Sequence, residues 1–302
     1  MSTVATTTAP GLPVEAFDKE ALVKRNPHGD FATVQASRPD YNSNDHWIMT
    51  KTPDPAWQVG DGATSTHWKD QSYLHIDPHE EGRPDVLNYK LMISTTVPRP
   101  VAMVSTVTKD GNTRNLAPFS YFQAVTHDPP IYSLVFAGED RNDSLQNVLD
   151  TGELCISTTS DWMIEACNLT SINTPPHISE WVLSGLTPVK SEIVQAPYIA
   201  ESPVSIECKV LQTIDTFSKI SGRRNATMVL VEAVRFHVWK DVLGPDKATA
   251  DIGKLRPVFR AGGITYGTCF RGFEVLRPPA FRTIVDTERV KQALAKDGND
   301  VD

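Results

Sequence analysis

Cysteine is scarce in this chain and poorly spaced for chemistry. Cys155, Cys167, Cys208 and Cys269 are the four present, and no two have the C-x-x-C separation of a zinc site or redox dithiol. Buried free thiols are the simplest expectation. No stretch approaches 18 uninterrupted apolar residues, and the opening MSTVATTTAP has neither the basic start nor the apolar run of a secretory signal. We therefore expect no membrane association and a cytoplasmic location. Excess positive charge is missing too: 29 Lys and Arg stand against 37 Asp and Glu, a formal charge of -8. Broad attraction to nucleic-acid phosphate or anionic lipid is excluded, although a local basic pocket for a small anion is not. There is no G-x-S-x-G elbow, H-E-x-x-H or G-x-x-x-x-G-K-[ST] loop, and Gly262-Gly263 is not a dinucleotide fingerprint. Any nicotinamide must then bind transiently, without a domain of its own.

What is present, 302 residues of which 40% are hydrophobic, suffices to bury one substantial core. Residues 1–85 are rich in Pro, Asp, Asn, Thr and Gly with little apolar periodicity, which predicts an irregular N-terminal extension. Trp47, Trp57 and Trp68 are too many for a free linker, so this arm should pack on the main domain or on a partner subunit. Residues 86–280 read as short β-rich runs separated by turns, the pattern of a barrel or sandwich. Strands are expected at 100–108, Asn115 to Phe122, 130–136, 153–159, 202–214 and 226–239. Asp110-Gly111 should supply the positive φ angles of a tight hairpin turn. Two short helices, 143–150 and 161–170, each open on an Asp suited to capping, and residues 281–302 form a tail with a short charged helix near 286–296. No repeat of 20 to 50 residues is evident.

Three segments together could hold a phosphorylated aromatic cofactor. Ser105 and Thr106 occupy successive strand positions and so opposite faces, so one of the two hydroxyls should face a ligand. In Asn115-Leu116-Ala117-Pro118-Phe119-Ser120, Pro118 removes a backbone donor and interrupts ladder pairing. Small Ala117 admits a flat ring, while Asn115 and Ser120 can bond its polar edge or a ribityl hydroxyl. In Arg141-Asn142-Asp143-Ser144, a helix start attracts a dianion and Arg141 adds a forked cation. An edge strand with a proline kink and an ordinary capped surface helix would account for the same residues taken singly. His75 and His79 have i, i+4 spacing, but Pro78 argues against a helix there and no metal site is expected. His177 follows Pro175-Pro176 in a loop, and His237 lies in an alternating strand as a packed or surface residue.

Taken in order, Arg99-Pro100-Val101-Ala102, Val104-Ser105-Thr106, Asp110-Gly111, Asn115, Ala117-Pro118-Phe119-Ser120, Asp128-Pro129-Pro130, Asp143-Ser144 and Asn147 resemble the core motifs of the flavin reductase-like family. The similarity continues through Glu180-Trp181, Gly185-Leu186, Glu207-Cys208, Arg260, Gly262-Gly263 and Tyr266, covering roughly residues 86 to 279. The resemblance implies a mainly β, FMN-binding split β-barrel of Greek-key type with a few short helices. It also implies a homodimer with FMN near the subunit interface. Ser105, Thr106, Asn115, Ala117, Pro118, Phe119 and Ser120 would then touch the ring and ribityl chain, and Arg141, Asn142 and Ser144 would receive the phosphate. The sequence departs from the family at Asn142, where a lysine is usual, and at Ser144, where a threonine is usual. The hydroxyl is kept, and the lost charge must come from Arg141.

The expected function is an FMN-dependent oxidoreductase that passes hydride from NAD(P)H to flavin and then on to free flavin, oxygen or an organic small molecule. Because the cofactor performs the redox step, no side chain need act as acid or base, and no catalytic residue is assigned. The alternatives are an FMN-dependent oxygenase or tailoring enzyme acting on a specific organic substrate, and a non-catalytic FMN-binding protein.

Overall fold

Alternation of apolar and polar residues puts one side of a strand inside, as at residues 226–234, whereas strands covered on both faces, such as Ala102–Val107, are buried throughout. In the computed structural model, which describes residues 30–175 and 177–296, seven antiparallel strands form one sheet. They are β1 Ala102–Val107, β2 Arg114–Phe119, β3 Phe122–His127, β4 Pro130–Ala137, β5 Glu153–Thr158, β6 Val204–Phe217 and β7 Arg224–Val238. Their spatial order is β2-β1-β5-β6-β7-β4-β3. The expected extension before residue 30, the tail after 296 and Pro176 lie outside the described residues.

The edge strands β2 and β3 are separated in sequence by Ser120 and Tyr121 alone. In a flat sheet those edges would stand about 29 Å apart, at about 4.8 Å per strand. The steps from Phe119 to Phe122 can span about 10 Å at most. The sheet must therefore curl until its edges approach each other at the Ser120–Tyr121 corner, which makes a barrel that is split rather than closed. Phe119 and Phe122, on either side of the corner, both pack against the interior core.

Five helices bear on the argument: α1 Phe31–Ala36, α2 Asp85–Thr95, α3 Asp143–Thr151, α4 Ile164–Leu169 and α5 Glu180–Ser184. The barrel interior takes Ala102 and Val104 from β1, Leu154 and Ile156 from β5, and Val229 and Val231 from β7. Helix α3 contributes Leu145 and Val148 to the same core. Burying each of these two side chains contributes about 1.5–3 kcal/mol. On the other face of the sheet, Met103 and Leu116 pack with Cys167 of α4 and Trp181 of α5. Cys155, Cys167 and Cys208 are buried free thiols and Cys269 is half-buried. Burial pushes the Cys155 and Cys167 thiols up to about 12, so both are inert at neutral pH.

The structure departs from the sequence reading in five places. Helix α2 stands where irregular chain gives way to β texture; Ile93 is its one buried residue, while Val86, Leu87, Leu91 and Met92 are exposed, so no apolar stripe marks it. The segment from Asn115 to Phe122 is not one strand, because the chain turns at Ser120–Tyr121. Helix α3 is capped by Asn142, whose side chain accepts from Leu145 N (2.9 Å), rather than by Asp143. Asp161 does not cap either; its carboxylate receives Arg256 Nε and Nη2. In the first hairpin Gly111 has a positive φ of 76° while Asp110 does not, and the Asp110 carboxylate accepts from Thr108 Oγ1 and Asn112 N.

Several contacts tie the N-terminal arm to the rest of the chain. Ile48–Met49 pairs in parallel with Arg271–Gly272. The Trp47 ring lies against Gly272, where a side chain would overlap it. Tyr41 Oη donates to Asp161 Oδ2 (2.5 Å), the carboxylate that also holds Arg256. Among the described residues no helix is long and apolar enough to cross a membrane.

Candidate functional site

The second and third sequence segments meet. Asn115, on the interior face of β2, lies 2.6 Å from Ser144 Oγ in the first turn of α3. With its amide nitrogen turned to Glu180 Oε2 (3.2 Å), its oxygen accepts from Ser144 Oγ (2.6 Å) and Leu116 N (3.3 Å), and each group is satisfied. The first segment joins through Thr106, whose Oγ1 accepts from Asn147 Nδ2 of α3 at 3.1 Å. Ser105 points to the other face, beside its cross-strand partners Leu116 and Cys155, and its buried hydroxyl has no partner. The expected split of Ser105 and Thr106 between two faces is thus what the strand provides.

Burial divides the remaining candidates. Ser105, Thr106 and Ser144 are at most 2% exposed and Asn115 is 9% exposed. Ala117, Pro118, Phe119 and Ser120 are half-buried, while Arg141 and Asn142 are exposed. Phe119 is fixed from behind by an edge-to-face contact with Phe136, ring centroids 4.7 Å apart. Arg141 forms no ion pair among the described residues, so its cation is uncommitted.

Sequence reasoning gave Glu180 no role, yet the structure places it at the centre of this arrangement. It is buried, its Oε2 accepts from Leu116 N (3.1 Å) and its Oε1 from Thr174 Oγ1. A buried carboxylate without a cation is costly unless hydrogen-bonded, and these donors fill that need. The Glu180-Trp181 pair within the resemblance was the available signal. Glu180 and Ser179, whose Oγ donates to Arg114 O, occupy the outer edge of β2 as far as Leu116. From Ala117 to Phe119 no hydrogen bond reaches that edge among the described residues. An unpaired strand edge, a small residue, a helix start and a free arginine side by side fit a flat polar ring carrying a phosphate.

The histidines lie elsewhere. His177 is exposed, His79 Nε2 is 3.3 Å from Lys219 Nζ, and no group of three His, Cys, Asp or Glu suits a metal among the described residues. His237 Nε2 lies 2.6 Å from Oε1 of buried Glu207, and its ring stacks on Tyr198 at 4.2 Å.

Residues 94–252 match the family described as flavin reductase like domain. The chain belongs to the flavin reductase-like family. Membership makes it an oxidoreductase of the flavoprotein type, on a split barrel. Among its relatives, a protein of Halalkalibacterium halodurans with no described activity is 34% identical over 208 residues, 68% of this chain and 97% of its own. Nitrilotriacetate monooxygenase component B from Bacillus cereus is 31% identical with a TM-score of 0.64, covering 68% of this chain and 100% of its own. The 2-nitrobenzoate 2-nitroreductase of Pseudomonas fluorescens, 24% identical with a TM-score of 0.60 over 68% of this chain and 99% of its own, shares the fold.

Proposed function

We propose that this chain is an FMN-dependent oxidoreductase of the flavin reductase type, taking hydride from NAD(P)H. The reading is carried by the bond between Asn115 and Ser144, which sets the unpaired edge of β2 beside the start of α3. Arg141, Asn142 and the first N-H groups of α3 hold the phosphate, because a helix start and a guanidinium both favour a dianion. Ala117, Pro118, Phe119 and Ser120 line the ring and ribityl chain. Thr106, Asn115 and Ser144 form the floor and set the distance between strand and helix, while Ser105 backs β1 from its other face. Bound FMN supplies reversible two-electron chemistry, and the chain's residues bind it, orient it and shield one side from water.

Titration of the purified chain with FMN, followed by flavin fluorescence and by loss of NAD(P)H absorbance, tests this reading. Stoichiometric uptake and turnover with free flavin are expected; failure to take up FMN would sink it. Likeness to a protein named as a monooxygenase component favours, as a second reading, an FMN-dependent oxygenase or tailoring enzyme acting on an organic substrate. In that case NAD(P)H consumption is slow until substrate is added. One FMN bound with no NAD(P)H oxidised would instead identify a non-catalytic flavin-binding protein. The functional unit in our reading is a homodimer. Residues 123–127 of edge strand β3 are all exposed, as are Leu211, Ile214 and Phe217 of β6, and a second copy would cover them. Light scattering of the eluted protein measures this directly.

A further inference from the structure

Arg99 is a buried guanidinium without a counter-ion among the described residues. It is 6% exposed, and its Nη1 donates to Ile93 O (2.5 Å) and Thr96 O (2.7 Å) at the C-terminal end of α2. Its Nε is buried with no hydrogen-bond partner, and Nη2 has none among the described residues. Nε and Nη2 form the edge of a guanidinium that grips two coplanar oxygens, and Arg256 uses this same pair of nitrogens to hold Asp161. In Arg99 Nη1 anchors the guanidinium, and the corresponding edge makes no hydrogen bond among the described residues.

Its surroundings are cationic and aromatic. In a separate three-stranded sheet of Arg99–Pro100, Val258–Arg260 and Tyr266–Thr268, Arg99 pairs with Arg260, whose guanidinium lies over the Tyr266 ring at 4.4 Å, and neither arginine forms an ion pair among the described residues. Two neighbouring cations without a carboxylate repel each other, and an added anion relieves that repulsion. Tyr121, next to Ser120 at the barrel corner, immediately precedes β3, and the short strand Arg99–Pro100 packs against β3. Burial raises its phenol above the usual range, with Tyr89 adding to the rise and Arg99 opposing it.

We propose that the Nε/Nη2 edge of Arg99 receives the carboxylate of an organic substrate, with the apolar body of that substrate lying against Tyr121. Binding needs no flavin. That the bound molecule then meets the redox centre rests on the flavin reading, since Tyr121 adjoins the Ala117–Ser120 strip.

Benzoate is the probe, titrated by calorimetry into the full chain with and without FMN. Wild type is expected to bind benzoate and not benzamide, and Arg99→Gln to weaken benzoate about 10-fold or more, the loss of a charged hydrogen-bonding pair. Arg99→Lys should recover part of the binding, because a point charge lacks the fork. Equal affinity in wild type and Arg99→Gln, benzamide binding as well as benzoate, or no benzoate binding would overturn the proposal. Tighter binding of inorganic phosphate than of benzoate would likewise overturn the carboxylate assignment. Because Nη1 supports the end of α2, Arg99→Gln could fail to fold, so wild-type crystals soaked in 4-bromobenzoate give an independent reading. Bromine anomalous signal beside Tyr121 supports the site, and signal confined to other places overturns it. FMN uptake is followed separately, so a chain that takes up no flavin yet binds benzoate through Arg99 would sink the flavin reading alone.

Discussion

Asn115 and Ser144, on a strand and a helix 29 residues apart, share a 2.6 Å hydrogen bond that fixes the spacing of β2 and α3. Replacing Asn115 with Leu removes the amide and leaves the Ser144 hydroxyl and the Glu180 carboxylate short of a partner in a buried site. The expected cost is about 1–3 kcal/mol of stability. FMN affinity should fall with it, as the strip and the helix start lose their relative position. Urea unfolding and FMN titration on the same preparation measure both; unchanged values would show that the bond positions nothing.

Arg141 offers a cleaner separation of binding from folding. It is exposed and has no ion pair among the described residues, so Arg141→Gln should leave stability within about 0.5 kcal/mol. If the guanidinium contacts the phosphate, FMN affinity falls by about 10- to 100-fold. Riboflavin, which lacks the phosphate, should bind both forms equally. A parallel loss for riboflavin would move Arg141 away from the phosphate.

Most of the barrel was legible because its inward residues recur every second position, as at Ala102 and Val104 or Leu154 and Ile156. The parts of the candidate site could be read in the same way, but not their connections. Glu180 comes to Asn115 from a distant helix, and no local pattern announces a carboxylate whose partners are a strand N-H and a threonine hydroxyl. Helix α2 escaped because its apolar residues stay outside and make no stripe. The choice of Asn142 over Asp143 as cap depends on where the chain leaves β4, which residue type alone does not determine.

Glu207 makes the fold sensitive to acid. Its burial opposes ionisation, but the N-H groups of Glu192, Ile193 and Val194, together with His237, outweigh that cost and hold the carboxyl below its ordinary range. A carboxyl lowered in the folded state adds stability above its unfolded value of about 4.3, and that part disappears as pH falls through the lowered value. Glu207→Gln turns an amide N-H toward the same donors and should cost about 3 kcal/mol near neutrality. The gap between variant and wild type should close as the medium is made acid. Chemical unfolding across that range measures it, and a gap independent of pH would show that ionisation of Glu207 is not the source.

Gly272 holds the N-terminal arm by having no side chain. A methyl group there would overlap the six-membered ring of Trp47, and the parallel pairing of Met49 with Gly272 leaves the backbone little room to yield. Gly272→Ala should therefore displace the arm and destabilise the chain by about 1–3 kcal/mol, the usual cost of overpacking. Trp47→Ala removes the obstacle. In the double variant the two costs should not add, since the inserted methyl then enters space the ring has vacated. Limited proteolysis gives the structural readout: cleavage between Tyr41 and Thr50 should be faster in Gly272→Ala than in wild type. Strictly additive stabilities would mean that Gly272 and Trp47 act apart, and that the arm is held by the bond of Tyr41 to Asp161 instead.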